Sequence, residues 1–104
     1  MANYLLVYTG GGALASEEEG QKEMAAWMGW FGGMGEAVVD GGNPISISKA
    51  IASNGQVTDG APSGLTGYSV IKAGSIDAAT AIAKGCPHLA SGGAVEVYET
   101  FNAM

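Results

Sequence analysis

His88 is the chain's sole imidazole and the one side chain whose unperturbed pKa lies near neutrality, which makes it the first candidate for a general acid or base. It follows Pro87 beyond a predicted helix end, where a histidine equally bonds a free carbonyl or faces solvent. That position favours a structural or surface role, and no residue is assigned a catalytic one. Asp40 and Asp59 each end a strand-like run and precede glycine. A carboxylate there can hold a ligand or orient His88, or simply cap its own turn by accepting a nearby backbone N–H. Trp27 and Trp30 stand beside Met24 and Met28, and such rings either line a pocket for an aromatic or apolar ligand or pack into a core. The candidate ligand-binding residues are therefore Trp27, Asp40, Asp59 and His88.

Other chemistries lack their parts. Cys86 lies past a helix C-terminus rather than at the N-terminus that lowers a thiol pKa, so an inert thiol is expected. One His and one Cys fall short of a zinc site, and no metal or cofactor is expected. The run Gly10-Gly11-Gly12 has neither a following Lys-Ser/Thr nor the Gly-x-Gly-x-x-Gly register, so nucleotide binding finds no support.

The composition narrows the partners. The net charge is −6, and the four basic residues, Lys22, Lys49, Lys72 and Lys84, are all lysines. Without arginine there is no planar fork to clamp phosphate or read guanine. Nucleic acid and anionic membranes are both disfavoured. At 47% apolar and 13% charged, residues 1–104 read as one globular domain. The start, Met-Ala-Asn-Tyr, enters a strand-like run with no basic segment or long apolar stretch, which predicts a cytoplasmic protein without a membrane span.

Elements that could position these residues follow from pattern. Asn3–Tyr8 is apolar on both alternating faces and reads as a strand buried on both sides. Ser16 caps a helix whose first turn carries Glu17, Glu18 and Glu19. Met24, Trp27, Met28, Phe31 and Met34 form its apolar stripe, and the helix is expected to end around Gly32–Gly35. Ala37–Asp40 and Ile45–Ala52 read as strands, and Asn54-Gly55 turns the second back into Gln56–Thr58. Thr66–Ala73 is the next strand. Ser75 caps a helix over Ile76–Lys84, which Gly85 and Pro87 stop, and Ala94–Phe101 is the last strand. The order is a ferredoxin-like split βαβ with an inserted β-hairpin, an α+β fold. Two helices cover one sheet face, so the second apolar face of the first strand predicts a homodimer.

That order and four segments resemble the YCII-related (DGPF-type) family of small α+β proteins. The segments are Tyr4–Tyr8, Val39–Pro44, Val57–Gly60, and Cys86-Pro87-His88 leading into Gly93–Val97. The resemblance implies a dimeric α+β barrel, two ferredoxin-like sheets packed face to face. It also implies, for some members, a His–Asp pair with the His on the first helix. Here Met24, Ala25, Ala26 and Trp27 occupy that place, so the pair is not carried over. Two readings of function follow. One is a small barrel binding an apolar or aromatic metabolite between the first helix and the sheet. The other is a noncatalytic dimeric regulatory or accessory module acting through protein association.

Overall fold

The computed structural model describes residues 1–11 and 16–103, so the predicted Gly10–Ser16 loop lies largely outside the described residues. Alternation sets the first strand, β1 (Ala2–Gly10), as the hydrophobic axis of the molecule. Tyr4, Leu6 and Tyr8 point to one side and are buried, with Leu6 wholly inaccessible. β1 pairs antiparallel with both β5 (Leu65–Ala73) and β6 (Gly93–Glu99), and β2 (Val38–Asp40) pairs with the far edge of β5. The resulting four-stranded antiparallel sheet has the order β2-β5-β1-β6.

Helices cover the Tyr4 side of this sheet. α1 (Glu17–Met34) begins where predicted: Ser16 Oγ accepts the Glu19 N–H at 3.2 Å, and three glutamates occupy the first turn. It runs through Gly32 and Gly33 to Met34, and ends at Gly35 in a left-handed conformation with φ +56°. Its inward arc is displaced from the predicted stripe. Trp27, Trp30 and Met34 pack on the core, while Met28 is 70% exposed. The reason is Trp30, whose indole N–H donates to Ile82 O at 3.2 Å and draws the helix toward its neighbour. That neighbour, α2 (Ile76–Ala83), buries Ala79 and Ala83, and small side chains let it lie close on the sheet. Ser75 Oγ caps it by accepting the Ala78 N–H.

Pro87 does more than stop a helix. It occupies the first turn of α3 (Pro87–Ala90), where its missing N–H has no helical partner to lose. His88 therefore sits on a one-turn helix at the end of the sheet.

The hairpin forms, but as an arm. β3 (Lys49–Ile51) and β4 (Val57–Asp59) make a separate two-stranded sheet with Lys49 opposite Asp59. Ile45–Ser48, predicted as strand, joins no ladder; Pro44 forms an isolated bridge to Gly67, and the Ile45 N–H donates to Thr66 O. The turn also differs from the simplest Asn-Gly form. Among the described residues positive φ is confined to glycines, so Gly55 (φ +88°) takes the left-handed position and Asn54 does not. The Gly55 N–H donates to Ala52 O, closing a three-residue loop.

One helical layer on one sheet leaves a flat molecule, 44 × 40 × 18 Å. Its radius of gyration is 15.2 Å, against about 13 Å for a compact chain of this length. Leu5, Val7, Tyr68, Val70 and Tyr98 share the sheet face away from the helices, as their pairing register requires. No helix among the described residues is long and apolar enough to cross a membrane.

Candidate ligand pocket

A cavity of about 680 Å³ opens between α1 and the β5–β2 side of the sheet. Its cause is local. α1 is tethered on its other side, by the Trp30–Ile82 bond and by Ser91 Oγ donating to Glu23 Oε1 at 2.8 Å. On the open side, the sheet and the turn after β2 offer Gly67, Gly41 and Gly42 beneath Met24, Trp27 and Phe31. Gly41 faces open space, since a Cβ on it would meet nothing within 4 Å, while Gly42 sits tight against the backbone of β5 and Gly67 against the Tyr8 ring of β1.

The turn is built by Asp40. Its Oδ1 accepts the Gly42 N–H at 2.8 Å, the Asx geometry of a tight turn, and Gly42 adopts φ +77°. A buried chain of hydrogen bonds ties this turn to β1. Tyr8 Oη donates to Ser69 Oγ at 2.7 Å, and Ser69 Oγ donates to Gly41 O at 2.7 Å. Ser69 is fully buried, and no buried side-chain polar atom among the described residues lacks a partner.

Burial pushes the Tyr8 hydroxyl up to about 12, against the opposing pull of the Ser69 hydrogen bond. The phenol is thus a neutral wall of the cavity at physiological pH. Since the folded pKa exceeds the unfolded value, the folded state holds this proton more tightly. The associated stability is complete below about pH 10 and is lost as pH rises through about 12, to a total of about 2–3 kcal/mol. Denaturant titrations from pH 8 to alkaline pH are expected to show this decline, and Tyr8→Phe should make it shallower. Tyr4 and Tyr98 shift upward too, each first through its hydrogen bond to a carboxylate, Glu99 and Glu96 respectively.

His88 closes the other end of the cavity. Its Nε2 lies 2.8 Å from Thr9 O. A carbonyl can only accept, so Nε2 carries the hydrogen, and in the neutral ring Nδ1 is the acceptor. The imidazole is tilted against the Tyr8 ring at 5.6 Å and lies between the Gly11 and Gly93 backbones. A Cβ on Gly93 would fall on the imidazole itself. Gly93→Ala is therefore expected to cost about 1–2 kcal/mol, the loss of the Thr9 bond plus a displaced ring. In a His88→Ala background the same change should cost almost nothing. A melting-based double-mutant cycle reads the coupling, and simple additivity would contradict the clamp.

The four sequence candidates thus separate. Trp27 and His88 line the cavity, while Asp40 shapes the turn that walls it. Asp59 is not brought there; it stands on the arm, exposed and 2.7 Å from Lys49 Nζ. Such an exposed pair contributes about 0–1 kcal/mol. No family model matches this chain, and neither a curated protein nor a solved structure does. Cys86 is buried, and burial raises its thiol despite the hydrogen bond from the His88 backbone N–H, so it stays protonated.

Sequence reasoning missed Tyr8, Phe31, Glu23 and Ser69 as members of this site. A signal for Tyr8 and Ser69 was present. Both are polar-tipped residues on otherwise apolar strand faces, and buried hydroxyls need partners.

Proposed function

We propose that the protein is a small cytoplasmic ligand-binding protein of the dimeric α+β-barrel type, similar to the YCII-related family, which takes an apolar or aromatic metabolite between α1 and the sheet. The observation that carries the reading is the cavity's lining: Trp27, Phe31, Met24 and Tyr8 form an apolar wall, with His88, Glu23 and Ser91 as polar groups at one end. Concave apolar sites with a few convergent polar groups are the usual form of small-molecule pockets. The strand order β2-β5-β1-β6, with α1 linking β1 to β2 and α2 leading from β5 toward β6, supports a ferredoxin-like split βαβ.

The dimer rests on the sheet face opposite the helices. Tyr98 is 49% exposed there and Val39 46%. Joining two such faces would bury this apolar surface, and a credible interface removes at least roughly 1,000 Å² in total. Light scattering at micromolar concentration is expected to give twice the chain mass, and a monomer would overturn the barrel.

The alternative, a noncatalytic regulatory or accessory module, draws on the arm and the segment leading into it, where Ile51 is 73% and Ile47 83% exposed. Amide chemical-shift mapping against small aromatic and aliphatic compounds separates the two. Saturable shifts at Gly42, Gly67 and Trp27 are expected for the pocket reading. Silence at these sites across the compound set would sink it and leave the association module.

A further inference from the structure

We propose that the pocket selects an organic cation, an alkyl- or aryl-ammonium compound, over neutral and anionic molecules of the same shape. This rests on the ligand-binding reading and specifies its chemistry. The rings of Tyr8 and Trp27 meet at 77° with centroids 5.2 Å apart, and Phe31 lies beside Trp27 at 5.8 Å. All three line the cavity. Trp27 and Phe31, both half-buried, supply the aromatic walls whose negative faces attract a cation, and the buried Tyr8 ring packs against Trp27 to complete the corner.

The charges point the same way. Glu23 is the one carboxylate among the lining residues, and no lysine lines the cavity. Its Oε1 accepts the Ser91 hydroxyl, which holds the carboxylate over the pocket end, and no cation pairs with it among the described residues. The adjacent Lys22 lies 3.7 Å from Glu18 instead. The Tyr8 phenol adds no negative charge at neutral pH. A net charge of −6 adds long-range attraction for cations and repels anions. A carboxylate or phosphate in this cavity would face Glu23, and the one basic side chain at the lining is the His88 imidazole, whose Nε2 is already committed to Thr9 O.

Three probes of one shape test this: choline, the uncharged 3,3-dimethylbutan-1-ol, and the anion 3,3-dimethylbutanoate. Titrations followed by tryptophan fluorescence and by amide shifts at Gly42 and Gly67 give the affinities. Choline is expected to bind at least about tenfold more tightly than the alcohol, and the anion not at all. Glu23→Gln keeps an acceptor for Ser91, so the fold is retained; it should weaken choline about five- to tenfold and leave the alcohol unchanged. If the alcohol binds as tightly as choline, selectivity for cations is refuted while the apolar pocket stands. Preferred binding of the anion also overturns it. If none of the three binds up to about 10 mM, a range that covers even weak millimolar ligands, this inference falls, and the pocket reading falls with it when the aromatic and aliphatic compounds are silent too.

Discussion

Gly42→Ala is expected to lower the unfolding free energy by roughly 3–5 kcal/mol, a large share of the total for a chain of this size. A Cβ at this position would collide with the carbonyl of Tyr68, and behind it lies Ser69 Cα at 3.1 Å. Both obstacles are backbone of a central strand, so neither can swing aside. The φ of +77° adds strain for any L side chain. Gly41→Ala is the matched control, since a Cβ there meets nothing within 4 Å and its φ is not positive. It should be neutral within about 0.5 kcal/mol. Urea midpoints of the two variants check the contrast. Equal midpoints would mean that the turn after β2 does not seat against β5 as described.

Trp27→Ala is expected to be nearly as damaging and to weaken binding of any pocket ligand as well. The indole packs on the core and joins Tyr8, Trp30 and Phe31 through ring contacts of 5.2–5.8 Å. Truncating a buried aromatic costs about 3–5 kcal/mol, and the partial exposure of Trp27 puts the expected loss at about 2–3 kcal/mol. Affinity for any pocket ligand should fall at least about tenfold, the equivalent of about 1.4 kcal/mol. Trp27→Phe keeps an aromatic wall and should recover most of the stability and part of the affinity. Thermal melts of the free protein and ligand titrations of both variants check this. An unchanged affinity in Trp27→Ala would remove α1 from the site.

Much of the fold was legible because its signals are local. Ser16 and Ser75 both cap the helices they were expected to cap, since a hydroxyl before a helical run satisfies an otherwise free N–H. The alternation of Tyr4, Leu6 and Tyr8 against Leu5 and Val7 marked β1 as a strand, while its two neighbours β5 and β6 came from the sheet register. Asn54-Gly55 marked the hairpin, although the turn type followed from which residue carries positive φ. Ile45–Ser48 misled because alternating Ile and Ser matches a strand, yet a strand also needs a neighbour. Pro87 both ends one helical run and starts the next, because proline cannot continue a helix but fits its first turn.

The sequence alone determined β1, α1, β5, α2 and β6, the acidic charge, and the presence of aromatic and imidazole groups able to meet a ligand. It could not say that they meet. Thr9 and His88 are far apart in the chain, as are Tyr8 and Ser69, and only the β1–β5 and β1–β6 registers bring these pairs within hydrogen-bond reach. The same registers set Gly93 beside the imidazole and Gly67 beside Tyr8, so that glycines that read as punctuation become the seats of these two rings. The cavity itself was decided by an imbalance between distant contacts. Trp30 and Glu23 tie α1 toward α2 and the end of α3, and the glycines on the opposite side have no side chains with which to pull it back.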